Sequence, residues 1–415
     1  MSSTSLPTSG SPQKISFARL ITTCISARLL VDISVQMFNP FLPIFAAGLN
    51  TDVVVMGRMI SARTATGLLA PAFSILATRF GYQAVLRGAM LAMAAGLWII
   101  GSSSTVPQAL IGMILLGLGL TGFVPILQAY LSISLPYNRL ARAIGMLEYS
   151  WALTGIVGLS LMGLLIAATG WRTPFFLLGA GLVIMSFVFQ TLPEVHNDRA
   201  NLATPRPQPS KGGLFSRFIG FFQIETNALS TYATILVGAI NFYAAMQFMI
   251  IYGAWFADQY GFGARELGFV ALIFGCFDLT ASVSVSLFTD RFGKRRSVLL
   301  GTVGALIGYL LIPWFNVAVI PAILSAAITR GFFEFALVSG FPLLSGQSPN
   351  QTAKVMTLGS TVTLAASTAS SFITPLLYAR IGITGLAIIA AVCNAVALIL
   401  LITCVREQPV VQQAE

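Results

Sequence analysis

Twelve apolar segments, each long enough to cross a membrane as a helix, dominate this sequence. A transmembrane helix needs about 20 mainly apolar residues. Segments of this kind lie near residues 17–47, 53–78, 84–104, 107–135, 140–169, 173–192, 229–258, 264–290, 296–315, 318–346, 352–380 and 383–405. Only 9% of the 415 residues are charged, whereas soluble domains carry about 25%. So little charge does not cover a surface that faces water, and the pattern predicts an all-α, multi-pass membrane protein with twelve transmembrane helices.

The two halves of the chain repeat each other at a spacing of 212 residues. Three separated landmarks share this offset: 79–81 and 291–293 (both Arg-Phe-Gly), Arg142 and Lys354, and Gly170 and Gly382. We therefore expect two pseudo-symmetric six-helix bundles, a plan found among membrane transporters. The predicted organisation is a disordered tail, the first bundle, a polar linker with an amphipathic helix near 213–227, the second bundle and a second tail: 1–16, 17–192, 193–228, 229–405 and 406–415.

Basic residues are distributed unevenly between the two ends of the predicted helices. Sixteen lie on the side of the termini and the linker: Lys14, Arg19, Arg79, Arg87, Arg139, Arg142, Arg199, Arg206, Lys211, Arg217, Arg291, Lys294, Arg295, Arg296, Lys354 and Arg406. Three lie on the other side: Arg172, Arg265 and Arg380. Lys and Arg accumulate in cytoplasmic loops, so both termini are expected in the cytoplasm and the protein in the plasma (inner) membrane. The same rule explains the net charge of +10 without nucleic acid.

Ionisable residues inside the predicted segments are the main candidates for function. There are eight of them: Arg28, Asp32, Arg58, Arg63, Glu148, Asp278, Arg330 and Glu334. A charge at the centre of a membrane helix costs about 2.5–3.5 kcal/mol on insertion scales. We therefore expect these groups to face one another or a wet central pathway. All except Arg58, which is placed near a helix end where its side chain reaches the interface, are candidate proton-coupling or substrate-binding residues.

Two of these groups have the same form, with a base four residues before an acid. Arg28 and Asp32 share one helix face, and so do Arg330 and Glu334. One interpretation is a structural ion pair within each helix. The other is that each group binds substrate, a proton or another helix, because the order base before acid is the weaker one for local pairs. The hypothesis for coupling is that Asp32 or Glu334 exchanges a proton, with Glu148 and Asp278 as the next candidates.

A charged loop, "FTDRFGKRR" (288–296), carries a resemblance to a known family. Its Asp290, Arg291, Gly293 and Lys294 match the Asp-Arg-x-Gly-Arg/Lys loop of the major facilitator superfamily, and Arg79 with Gly81 is a weaker copy. The segments "PYNRLARAIG" and "GWRTPFFLLG" also resemble that family. The resemblance implies two bundles around a central cavity that opens to either side in turn. It also implies that helices 1, 4, 7 and 10 line the cavity, that 2, 5, 8 and 11 form the interface, and that the loop motif controls conformation.

The subgroup is less defined than the family. The helix-4 arginine of many proton-coupled members is replaced by Met113, and the helix-5 Gly-Pro of drug antiporters by Gly158-Leu159. "MLEYSW" and "FPLLSGQSP" are similar to sugar-efflux-like facilitators. Aromatic residues cluster in segment 7: Phe242, Tyr243, Phe248, Tyr252 and Trp255. Packing and interface anchoring explain this cluster as readily as a cavity does.

The composition argues against an enzyme. The chain has one histidine, and its four cysteines lack metal-ligand spacing, so no catalytic residue, cofactor or metal is predicted. The favoured function is a monomeric secondary transporter of a small organic solute, coupled to protons. Two alternatives remain open: an organic-anion carrier or exchanger that uses buried Arg residues, and a lipid flippase or non-transporting substrate sensor on the same scaffold. The expected partners are the small-molecule substrate, protons and the bilayer, and no nucleic acid.

Overall fold

A computed structural model describes residues 16–194, 223–224, 226–348 and 351–407. Seven side chains within these ranges are not described: Tyr137, Asn138, Ala141, Arg142, Glu148, Asp290 and Ala353. Throughout the described ranges the regular structure is helical. The predicted amphipathic helix near 213–227 falls almost wholly outside them.

Twelve membrane-crossing helices, numbered α1 to α12, account for the predicted segments. They are α1 (Phe17–Gln36 continued by Leu42–Gly48), α2 (Val53–Ala65, Thr66–Leu69 and Ala70–Phe80), α3 (Tyr82–Ser102), α4 (Val106–Ser134), α5 (Tyr137–Leu153, Thr154–Gly158 and Leu159–Thr169), α6 (Thr173–Phe189), α7 (Ala228–Tyr260), α8 (Ala264–Phe292), α9 (Lys294–Phe315), α10 (Val319–Ser345), and α11 with α12, which share Thr352–Thr403. Nine described segments meet the length and hydropathy expected of a span. One of them, 354–403, folds back at Gly382 and holds two crossings, and α1 and α6 complete the twelve.

The repeat is visible in the backbone of four glycines. Gly81 has φ 88° and ψ 150°, and Gly293, 212 residues later, has φ 90° and ψ 143°. Gly170 (φ 90°, ψ 168°) and Gly382 (φ 64°, ψ −170°) form a second matched pair. Only glycine adopts such positive φ angles without steric cost. The glycines among the landmarks of the repeat are therefore residues at which the chain turns, at the same point of each half.

The predicted segment near 17–47 forms one crossing, but its helix, α1, is broken between Gln36 and Leu42. Pro40 has no amide hydrogen and cannot donate to the carbonyl of Gln36. That carbonyl instead accepts from the backbone of Asn39 at 3.0 Å. The carbonyl of Pro40 then lies directly against Gly253 of α7, so the break is also a contact between the two bundles.

The bundles touch along two helix pairs, α5 with α8 and α2 with α11, as the resemblance implied. A methyl group added at Gly155 would lie 3.0 Å from the Cα of Gly275, and one added at Gly163 would lie 2.9 Å from the Cα of Gly268. Between α2 and α11, the Ser61 hydroxyl donates to the carbonyl of Thr368 at 3.0 Å. Small residues of this kind let membrane helices approach closely.

These contacts are concentrated on one side of the molecule. The first helix begins at Phe17 and Glu407 follows the last helix on the same side of the molecule, which we call the terminal face. The opposite side is the far face. Ser61, Gly163 and Gly253 all lie in the halves of their helices nearer the far face. Toward the terminal face, Ile75 of α2 is 69% exposed and Tyr149 of α5 is 60% exposed. The bundles are thus closed toward the far face and separate toward the terminal face.

Candidate functional site

Two adjoining cavities lie near the middle of the helices. The larger, with an open volume of about 30 Å³, is inside the second bundle, and the smaller, of about 10 Å³, extends to α1 and α5 at Gln36, Asn39 and Gly155. They share four residues: Met249, Tyr252, Phe274 and Arg330. Six aromatic side chains line the larger cavity: Phe248, Tyr252, Trp255, Phe274, Tyr309 and Phe333. Together the cavities form a largely aromatic chamber with one basic group in its wall.

That basic group, Arg330 of α10, is paired with Asp278 of α8. Its Nε donates to both carboxylate oxygens at 2.8 and 2.9 Å, and its Nη2 donates to Oδ2 at 2.7 Å. The guanidinium also lies 5.6 Å from the centre of the Phe274 ring. Asp278 is 3% exposed and the Arg330 side chain is 16% exposed, so the carboxylate is the more deeply buried partner. A planar guanidinium suits this geometry because it donates several parallel hydrogen bonds to one carboxylate.

The sequence left open whether Arg330 pairs within its own helix or with another, and its hydrogen bonds to Asp278 join it to another helix. Glu334 lies one turn further along α10 and is half-buried. Asp278 reaches Arg330 because α8 and α10 cross beside the chamber, a proximity that the spacing along the chain does not reveal. Arg330 and Asp278 were therefore both predicted as candidates from the sequence, but not as partners of each other.

The corresponding pair in the first bundle does form within one helix. Arg28 Nε donates to Asp32 Oδ2 at 3.0 Å, and Asp32 is 3% exposed. Ser150 of α5 donates to the same oxygen at 2.8 Å. The carboxylate thus ties α1 to α5 as well as balancing Arg28. Ser150 was not predicted, although it follows Glu148 by two residues in the polar stretch "LEYS".

Arg63 is buried for a reason that the sequence did not show. Its Nη1 donates to the carbonyl of Val35 at 3.1 Å, and its guanidinium lies 5.2 Å from the Phe38 ring centre. Val35 is in the last turn before α1 breaks, where carbonyls have no partner within the helix. A cation at a helix C-terminus is favourable. Arg63 therefore stabilises the broken end of α1, and it does not line either central cavity.

The loop motif lies on the terminal face, away from the chamber. Gly81 and Gly293 form the turns described above, and the Arg79 guanidinium lies 5.4 Å from the Phe80 ring centre. Glu407 accepts from the backbone amides of Lys294 and Arg295 at 3.0 and 3.2 Å, so its carboxylate caps the N-terminus of α9.

Two candidates fall outside what the structure describes. The side chains of Glu148 and Asp290 are not among the described atoms, and their predicted roles stay predictions. The aromatic wall of the chamber, by contrast, was within reach of the sequence. Phe248, Tyr252 and Trp255 are spaced by four and three residues, which places them on one face of α7.

Two repeated bundles of six helices, each with a buried ion pair in its membrane-spanning part and one of these pairs beside a central chamber, define a membrane transport protein. The family model "Major Facilitator Superfamily" matches residues 24–249 and 233–415. The chain therefore belongs to the major facilitator superfamily, as the loop motif indicated.

Known relatives are distant and cover most of the chain. An uncharacterised MFS-type transporter of Bacillus subtilis (strain 168), YwfA, is 23% identical over 88% of this chain and 86% of its own length. The multi-drug resistance efflux pump PmrA homologue of Lactococcus lactis subsp. lactis (strain IL1403) is 24% identical over 67% of this chain and 68% of its own. The crystal structure of a D-xylose–proton symporter superposes with a TM-score of 0.75 at 15% identity, over 94% of this chain and 98% of that one. This likeness confirms the fold.

Proposed function

We propose that this membrane transporter moves a small organic solute by alternating access and couples the movement to protons. The observation that carries the proposal is the buried Arg330–Asp278 pair in the wall of an aromatic chamber. Buried charges inside membrane segments are expensive and typically belong to substrate or proton pathways. Proton coupling of the D-xylose symporter and drug efflux by the Lactococcus pump, as their names state, lie within the range of this fold.

The side chains that line the chamber favour a solute with a flat apolar body and one anionic group, and the chamber has to widen from its present volume as the bundles move to admit one. The aromatic side chains provide a large apolar contact area, and Arg330 is the basic residue among the residues that line it. A carboxylate on the solute would compete with Asp278 for the guanidinium, which binds carboxylates in a bidentate manner. Asp278 would then lose the ion that balances its charge, and a proton is the smallest replacement. Entry of the solute and uptake of a proton are linked in this scheme.

An organic-anion exchanger is the second candidate, and it rests on the same guanidinium. In an exchanger, one anion leaves Arg330 only when another anion takes its place. Asp278 then does not take over the guanidinium between the two anions, and no proton moves. The two candidates differ in whether a pH gradient drives accumulation.

The first test is a ligand screen followed by transport. Purified protein is heated with a library of aromatic carboxylates, matched neutral aromatics and sugars, and the unfolding temperature is measured. A ligand at 100 times its Kd stabilises the folded state by about 2.7 kcal/mol, so aromatic carboxylates should raise the unfolding temperature and neutral analogues should not. The hits are then tested in proteoliposomes, where an inward pH gradient should drive saturable accumulation. If no ligand in the library is accumulated under any ion or pH gradient, the proposal of secondary transport is wrong.

We further propose that the terminal face is cytoplasmic and that the protein lies in the plasma membrane, so that the bundles separate toward the cell interior. The distribution of basic residues supports this orientation. Cysteines placed at Ser9 and Ser210, which lie outside the described residues, in a variant without the four native cysteines should react with an impermeant maleimide only after the membrane is opened. Ser104→Cys, exposed in the loop between α3 and α4 on the far face, should react in intact cells. Labelling of position 9 or 210 from outside would contradict the orientation.

A further inference from the structure

A deep groove runs along the outer side of the second bundle, between α8, α9 and α10. Its volume is about 710 Å³, and it is separate from the central chamber. Its lining is mainly apolar, with aromatic side chains from α8 and α10: Phe277, Phe288, Phe292, Phe332 and Phe335. Along α8 the lining extends from Phe277 to Phe292, a length of about 22 Å at the helical rise of 1.5 Å per residue.

The groove faces outward from the described helices, toward the bilayer. Phe292 is 58% exposed and Leu300 is 55% exposed, as expected of side chains that contact lipid. The groove begins at the terminal face, where α9 starts, and reaches the middle of the helices at Phe277 and Ile328. A cleft with this position and length suits the acyl chain of a phospholipid that belongs to the leaflet on the terminal face.

One basic residue stands at the entrance of the groove. Arg296, in the first turn of α9, lines it and is exposed. It makes no hydrogen bond or ion pair with any group that the structure describes. Its neighbour Arg295 is already engaged, because its Nη2 donates to the carbonyls of Leu401 and Ile402 at 3.2 and 2.9 Å. Among the described residues Arg296 is therefore available to a negative charge at the depth of the lipid headgroups.

We propose that this groove is a binding site for an anionic phospholipid, with one acyl chain between α8, α9 and α10 and the phosphate headgroup at Arg296. Basic pockets between membrane helices bind anionic headgroups on the cytoplasmic side of other proteins. The inference does not depend on which solute the chamber carries, because the groove and the chamber are on opposite sides of α8 and α10.

The site has a structural connection to the ion pair. Phe277 and Gly331 form part of the groove wall, and each is the chain neighbour of a residue of the Asp278–Arg330 pair. A methyl group at Gly331 would lie 3.6 Å from the Phe277 ring, so α8 and α10 are in close contact in this part of the wall. A bound acyl chain would support this wall from the lipid side and stabilise the approach of the two helices.

Native mass spectrometry of the full-length protein in detergent tests the site. Phosphatidylglycerol and phosphatidylcholine with identical acyl chains are added, and the fraction of protein that retains one lipid is measured. The wild type should retain phosphatidylglycerol in preference to phosphatidylcholine. Arg296→Gln should reduce phosphatidylglycerol retention about fivefold, the effect of one basic residue at an anionic headgroup. Thr280→Trp, which fills the groove from an exposed position on α8, should reduce retention of both lipids.

Two control variants separate the site from general attraction to the membrane. Arg139→Gln removes the same charge from an exposed position on the terminal face of the first bundle. Val283→Trp adds the same bulk to α8 at a position that is 46% exposed and outside the groove. Both should retain phosphatidylglycerol like the wild type. Equal retention of the two lipids by the wild type, or an equal loss in Arg296→Gln and Arg139→Gln, would overturn the proposal in favour of non-specific lipid contact. Unchanged retention in Thr280→Trp would show that the acyl chain does not occupy the groove.

Discussion

Replacing Arg330 by methionine should abolish transport and lower the free energy of unfolding by about 3–5 kcal/mol. The methionine fills part of the space, but it leaves the carboxylate of Asp278, 3% exposed, without the guanidinium that makes three hydrogen bonds to it. An uncompensated buried charge is the cause of the loss. Thermal unfolding in detergent and uptake in proteoliposomes measure the two effects. Arg58→Met is the matched control, because Arg58 is exposed on α2 and contacts the Phe372 ring without an ion pair among the described residues.

The double variant Arg330→Met, Asp278→Leu separates stability from function. Replacing both partners of a buried pair by apolar residues is often neutral or stabilising, so the unfolding temperature should return close to that of the wild type. Transport should stay abolished, because the chamber then has no charged group. Recovery of transport in the double variant would show that the pair has a purely structural role. A single Arg330→Met variant with wild-type stability would contradict the ion pair itself.

The twelve helices and their repeat follow directly from the sequence. The apolar segments indicate the crossings because a bilayer requires a long apolar helix, although α1 is interrupted and α6 is short. The offset of 212 residues was informative because its landmarks include glycines whose positive φ no other residue adopts easily, and Gly81, Gly170, Gly293 and Gly382 all have that geometry. Such positions identify turns locally, without knowledge of the packing.

The partners of the buried charges were less accessible, since they depend on how helices cross. Spacing placed Glu334 one turn from Arg330, but Asp278, 52 residues away, makes the bonds. The same spacing gave the right partner for Arg28, where Asp32 is within reach on the same helix. Two identical patterns thus lead to different pairs, and only the position of α8 beside α10 distinguishes them.

Arg63 illustrates a second limit of the sequence. It was a candidate because no acid lies near it on its own helix, which left a substrate anion as one possible partner. Its observed acceptor is the backbone carbonyl of Val35. This carbonyl is free to accept a side-chain hydrogen bond because α1 is interrupted near Pro40. The proline was visible in the sequence, but the distance from α2 to the freed carbonyl was not.

Neutralising the coupling carboxyl should abolish accumulation driven by a pH gradient while substrate exchange continues. Exchange requires binding and movement of the bundles, whereas accumulation also requires net movement of protons. Asp278 is the first candidate for the coupling carboxyl, because it is bonded to Arg330, which lines the chamber. Asp32, Glu334 and Glu148 are the next candidates. Asp278→Asn, Asp32→Asn, Glu334→Gln and Glu148→Gln are each reconstituted, and counterflow without a gradient is compared with uptake under an inward pH gradient.

The competition scheme makes a sharper prediction for Asp278→Asn. Asparagine has nearly the shape of aspartate but no charge, so an anionic solute no longer competes with a carboxylate for Arg330. Binding of that solute should become tighter and take up no proton, whereas the wild type should take up a proton when the solute displaces Asp278 from the guanidinium. Isothermal titration in buffers of different ionisation enthalpy measures this proton uptake directly. The Asp32→Asn variant, which loses a carboxylate that Arg28 and Ser150 hold in the other bundle, should keep the wild-type proton uptake.

If all four neutralised variants retain full gradient-driven accumulation, coupling through these carboxyls is wrong. The buried charges are then structural pairs, and exchange of organic anions on Arg330 becomes the better explanation of the chamber.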